Sequence, residues 1–195
     1  MKVYQLLLLF AIILLAGHVN IREGFTEATI VKSTVDGNEY AVRADKHKQK
    51  VADLLAVINK KLLRLIGILK SRYSNDPRTE RVASRYDPSA ISEGLEDDNF
   101  TSYSVNKGEK IVFCLRMRDG TDNLVDENTL TYVAIHELAH LATEEIGHDS
   151  QTFWDNFKWL LTIARDNGLY IYANYEQNPQ PYCGMTIKSN VLNMS

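Results

Sequence analysis

From Asn128 to Ile146 the chain spells an apolar helix that carries one polar stripe. Tyr132, Val133, Leu138, Leu141 and Ala142 supply the apolar surface, while Thr129, His136, His140 and Thr143 fall on a separate line. Burying polar side chains is costly unless they find partners, so the stripe needs a reason. The run His136-Glu137-Leu138-Ala139-His140 provides one. Residues four apart stand one turn above each other on a helix, so both imidazoles can reach a single metal ion. Glu137 projects about 100° round the helix, where its carboxylate can hold a metal-activated water without ligating the ion. This spacing predicts Zn2+ as cofactor and hydrolysis as chemistry.

A structural zinc takes four protein ligands, whereas a catalytic one takes three and keeps a place for water. The third ligand must come from beyond the helix. Gly147 allows a sharp turn just past the helix end, so His148 can fold back towards the ion. Asp149, Glu144 and Glu145 are the rival ligands. Asp126 or Asn128 suits the N-cap of the helix. Asp149 suits the cap of the next helix, or a place behind a ligand histidine.

The run HELAHLATEEIGHDSQTFWDNFKWLL resembles the metallopeptidase motif of the WLM and SprT-like families. Their pattern joins an H-E-x-x-H helix to a third histidine through a short link, and then opens the next helix on an aromatic residue. His136, His140 and His148 match the ligands, Glu137 the general base, and Phe153 and Trp154 the aromatic positions. NFTSYSVNKGEKIVFCLR and PYCGMTIKSN look similar to segments of predicted WLM-like zinc peptidases of large DNA viruses. The spacing from His140 to His148 is longer than in the usual WLM pattern. The resemblance implies an α+β, minimal zincin-like domain with a small mixed sheet and an active-site helix. It implies a zinc-dependent endopeptidase acting on a protein or peptide substrate. Two other readings fit the motif: a zinc amidase acting on a non-peptide substrate, and a membrane-anchored viral structural or binding protein that retains the fold. The intact Glu137 argues against the last, since a metal staple needs no base.

The 195 residues and a formal net charge of -3 suit one globular domain and give no electrostatic case for nucleic-acid binding. Val3 to Gly17 is almost wholly apolar. Residues 1–25 therefore read as a membrane anchor or signal segment with its link, and 26–195 as the peptidase domain. Lys2 and the amino terminus bias the start towards the cytosol, which puts a single-pass anchor there and the catalytic domain outside it; secretion after cleavage is the alternative. Cys114 and Cys183 are either small buried apolar groups or a pair formed in an oxidising compartment.

Two hairpins are expected, one turning at Asp36-Gly37-Asn38 and one at Lys107-Gly108. A long helix from about residue 46 to 72 lies between them, with Val51, Leu55, Ile58, Leu62, Leu65 and Leu69 at helical spacing. Residues 78 to 98 read as a short helix and loops. Ile111 to Leu115 is the candidate edge strand for an extended substrate, with an interior strand as the alternative. A further helix is expected over 151–166, ending at Asn167-Gly168. Developing negative charge on a substrate oxygen calls for a donor, and Tyr175 and Tyr182 are the candidates.

Overall fold

A computed structural model describes residues 27–95, 101–121 and 123–194. The apolar Val3–Gly17 segment lies outside the described residues. Among the described residues, no helix is long and apolar enough to cross a membrane.

Ala28–Lys32 (β1) and Glu39–Arg43 (β2) form the first hairpin, with Ala28 opposite Arg43 and Lys32 opposite Glu39. Asp36 fixes its turn by accepting from the Asn38 N–H at 3.0 Å and the Tyr40 hydroxyl at 2.7 Å. Lys48–Arg72 (α1) follows, and the apolar positions read from its sequence are all buried. Asn59 is buried among them because its amide is fully used: it donates to the Tyr40 hydroxyl and the Pro88 carbonyl and accepts from the Tyr86 hydroxyl. Pro77–Arg85 (α2) starts at the expected break, with Pro77 in the first turn and the Asp76 carboxylate accepting from the Arg78 N–H.

Ile91–Glu93 (β3) is a strand within the segment expected to hold only a helix and loops. Its three residues are all buried, so they show no two-residue alternation to betray them. Tyr103–Val105 (β4) and Lys110–Phe113 (β5) make the second hairpin. The five strands lie in the order β1-β2-β3-β5-β4. Pairing is parallel between β2 and β3 and between β3 and β5, and antiparallel at both ends. The small mixed sheet is as expected, but the edge is not. The Ile111–Leu115 run lies inside the sheet, flanked by β3 and β4, and the edge strand is β4. Ile111, Val112 and Phe113 are buried in succession, as a strand covered on both faces requires.

Glu127–Ala142 (α3) and Gln151–Asp166 (α4) pack against each other, with α1 on the other side of α3. The α3 N-cap is Asp126, which accepts from the Thr129 N–H at 2.9 Å. Asn128, the other candidate, instead exchanges two hydrogen bonds with the backbone of Ile171. That exchange holds the 169–174 run as a strap rather than a strand. Ser150, not Asp149, caps α4. Gln180–Tyr182 (β6) and Met185–Ile187 (β7) close the chain over the cleft as a two-stranded hairpin.

Two covalent or ionic links were not fixed by the sequence. Cys114, just past β5, and Cys183, in the β6–β7 turn, form a disulfide with a Cα–Cα distance of 6.2 Å. Arg116 is buried and donates to Glu93 at 2.6 Å and to Asp45. The other Glu93 oxygen accepts from the Arg43 N–H at 2.7 Å. Each buried charge is thereby paired, which makes its burial tolerable.

Candidate metal centre

α3 ends four residues earlier than the sequence suggests, and this decides how the site is built. An α-helix leaves its last carbonyls without backbone partners. Here they are taken from outside. The Leu141 carbonyl accepts from Arg85 at 2.8 Å, the Ala142 carbonyl from Arg81 at 2.7 Å and the Thr143 carbonyl from Lys107 at 2.8 Å. Thr143 turns its hydroxyl back to the Ala139 carbonyl at 2.7 Å. The chain can therefore leave the helix at Thr143, run through an exposed loop, and turn at Gly147, whose φ is +85°.

The loop brings His148 back to the helix. Its Nε2 lies 3.0 Å from Nε2 of His136 and 3.1 Å from Nε2 of His140. Three nitrogens bound at 2.0–2.1 Å round a tetrahedral ion stand roughly 3.3 Å apart. Three converging imidazole nitrogens make a poor hydrogen-bond set and a good metal set. The cluster is near enough to bind one ion. Of the rival ligands, Glu144 is exposed and faces Arg81 at 3.5 Å, and neither Glu145 nor Asp149 belongs to the cluster.

The donors suit a cation in their ionisation as well. Burial pushes the His136 imidazole down to about 3, with the neighbouring His140 and His148 adding to the effect. Burial likewise pushes His140 down to about 4, helped by His148 and Lys107. Both rings are thus neutral near pH 7, the form that ligates. Phe153 is fully buried beneath them, its ring centroid 4.5 Å from His140, 4.9 Å from His148 and 5.0 Å from His136. Trp154 donates from Nε1 to the His148 carbonyl at 2.9 Å. The aromatic pair that opens α4 is therefore the floor and the anchor of the three imidazoles.

Glu137 is buried, and its Oε2 has no hydrogen-bond partner. Burial pushes its carboxyl up to about 8. An orphaned carboxyl oxygen lining the same cleft as three imidazoles is costly unless a further polar group joins it, and a metal ion with its water is such a group.

A cleft of about 980 Å³ opens over these residues. One wall is the edge strand β4 with Ser102 and Lys107, and the other is the β6–β7 hairpin with Tyr182, Met185 and Ile187. Tyr182 reaches the Ser102 hydroxyl at 2.5 Å, and Ser102 in turn accepts from the Cys114 N–H at 3.1 Å. Burial, with the Glu137 charge adding to it, raises the Tyr182 phenol well above the ordinary range, so it stays protonated. Tyr175 is instead buried against Tyr132, 5.2 Å between ring centroids, and does not line the cleft. Ser102 and Lys107 were not identified from sequence as parts of the site. Lys107-Gly108 signalled only a turn, and nothing local marks Ser102.

No family profile matches the chain. It is 33% identical over 171 residues to uncharacterized protein R325 of Acanthamoeba polyphaga mimivirus, an alignment covering 86% of each chain. The chain belongs to the family of R325. It is also 40% identical over 70 residues to uncharacterized protein 136R of Invertebrate iridescent virus 6, covering 35% of this chain and 38% of that one. Among solved structures, Wss1 from Saccharomyces cerevisiae is similar at a TM-score of 0.47 and 18% identity, over 67% of this chain and 91% of that one. A Wss1 mutant gives the same score and identity over 94% of its chain.

Proposed function

We propose that the protein is a zinc-dependent endopeptidase. The observation that carries this reading is the convergence of His136, His140 and His148 beside the unpartnered Oε2 of Glu137, inside a cleft walled by an edge strand. The three imidazoles would hold the ion. When bound, zinc supplies Lewis acidity towards the scissile carbonyl and makes water a nucleophile near neutral pH. Glu137, whose carboxyl a bound cation would draw back towards its ionised form, would take a proton from the attacking water and later give it to the leaving nitrogen. Tyr182, protonated and held by Ser102, donates to the developing oxyanion; its place in the cleft favours it over Tyr175. Strand β4 receives the substrate as an added strand through main-chain hydrogen bonds. An exposed strand edge in the cleft wall favours a peptide over a compact non-peptide amide. The Cys114–Cys183 disulfide supports a catalytic domain in an oxidising space, in keeping with an extracytosolic domain behind an N-terminal anchor.

The test is metal analysis joined to digestion of a peptide library. Wild type should bind one zinc, lose cleavage on chelation and regain it with zinc. Glu137→Gln should keep the metal and lose at least about a hundredfold in turnover, the lower end for a general base. A metal-replete Glu137→Gln protein with wild-type cleavage would exclude Glu137 as the base.

A further inference from the structure

The loop from Thr143 to His148 has an unusual task for its surroundings. It presents the third imidazole of the cluster, yet Glu144, Glu145, Ile146 and His148 are all exposed. Ile146, its one large apolar side chain, is 92% exposed. Apart from an exposed Glu144–Arg81 pair at 3.5 Å and the His148 ring against Phe153 and the other two imidazoles, no side-chain contact of residues 144–148 ties the loop to the fold, so its backbone contacts matter most. Two groups hold it. Trp154 binds the His148 carbonyl at 2.9 Å. Lys107 binds two carbonyls at once, Thr143 at 2.8 Å and Glu145 at 2.6 Å.

Lys107 is well placed for this. It sits in the β4–β5 turn with a φ of +58°, between Asn106 at +44° and Gly108 at +112°. A Cβ on Gly108 would lie 2.4 Å from the Arg85 carbonyl oxygen. The turn is thus pressed against the end of α2, and Lys107 projects from a fixed base rather than a swinging one. Arg81 and Arg85, from α2, secure the helix end from which the loop departs.

We propose that Lys107 is a positioning residue of the metal centre: it clamps the Thr143 and Glu145 carbonyls and so fixes the loop that delivers His148. The proposal rests on the zinc reading above, but it concerns a residue outside the cluster of three imidazoles. Lys107 has a second, opposing influence. Its ammonium lines the same cleft as the three imidazoles, so by charge alone it disfavours a metal cation there. A role by charge alone and a role by positioning therefore predict changes of opposite sign when the ammonium is removed.

The experiment measures zinc affinity by chelator competition on the full chain, with the visible spectrum of the cobalt-substituted protein as a second readout. Wild type, Lys107→Met, His148→Ala and the double variant form a cycle. Lys107→Met should weaken zinc binding by roughly 10- to 100-fold, the usual effect of losing a group that orients a ligand. It should also shift the cobalt spectrum towards that of His148→Ala. In the His148→Ala background the same substitution should have little effect, because the ligand being positioned is gone. Unchanged or tighter zinc binding by Lys107→Met overturns the proposal while leaving the zinc centre intact. So does an equal loss in both backgrounds. Wild type that binds no zinc removes the zinc reading and the proposal together. Lys107→Gln, which keeps a polar tip at the turn, is judged by the same criteria if the methionine variant does not fold.

Discussion

Removing the disulfide tests how the cleft wall is held. Cys114 and Cys183 are 69 residues apart in sequence and both are buried. A cross-link of that span lowers the entropy of the unfolded chain by the equivalent of about 4 kcal/mol at 25 °C on the chain-entropy relation. The substitution to make is Cys114→Ala with Cys183→Ala, since serine would add two buried hydroxyls. Urea denaturation of the oxidised wild type and the double variant should show a loss of about 4 kcal/mol. For a domain of this size that is roughly 10 °C in Tm. The m-value should rise, because the uncross-linked unfolded chain exposes more surface. The partner of the stability change is local. Tyr182 adjoins Cys183, and the Cys114 N–H holds the Ser102 hydroxyl that meets the Tyr182 phenol. The same variant should therefore retain zinc while its turnover falls. A stability loss under about 1 kcal/mol would refute the loop-entropy argument. Full activity beside a large stability loss would separate the staple from the catalytic wall.

Two further outcomes follow from individual contacts. Gly108→Ala puts a Cβ 2.4 Å from the Arg85 carbonyl at a φ of +112°, so thermal melting should show a loss of at least about 1–3 kcal/mol; a melt like wild type would mean that the turn can move away from α2. The Arg78 guanidinium holds the Asp76 carboxyl below its ordinary value. Its folded pKa is depressed, so its stabilising contribution is present above the unfolded value near 3.8 and is lost as pH falls through the lower folded one. Asp76→Asn should then be less stable than wild type at pH 7, and the gap should close in acid melts; a gap independent of pH would exclude the carboxylate as its source.

What could be read from the sequence was local. The His136–His140 spacing, the Glu137 offset, the Asp126 cap and the 3.6-residue rhythm of α1 are all set within one or two helical turns, where side-chain geometry follows from the backbone alone. The third imidazole was within reach because Gly147 marked a turn only seven residues beyond the second. The edge strand was missed for a physical reason. Ile111–Phe113 and Ile91–Glu93 are both buried runs, and a strand covered on two faces says nothing of which neighbours it will pair with. The early end of α3 was also hidden. Apolar periodicity continues to Ile146, but tertiary donors at Arg81, Arg85 and Lys107 compete for the helix's carbonyls, and those donors lie 36 to 61 residues away.

This division between local and distant information has a consequence for the centre itself. His136, Glu137 and His140 ride on a buried helix, so their mutual placement follows from packing. His148, Tyr182 and strand β4 arrive on loops and hairpins, which packing alone does not fix. Each of these is tied down by a link from a distant part of the chain: Lys107 for His148 (with the nearby Trp154), Ser102 and the disulfide for Tyr182, the Gly108 turn against α2 for β4. Pre-organisation is what lets a hydrolytic site stabilise charge without reorganising at the moment of reaction. It follows that substitutions in the links should damage metal affinity and turnover well before they unfold the chain, whereas substitutions at the α3–α4 contact, such as at Phe153 or Phe157, should lose structure and function together.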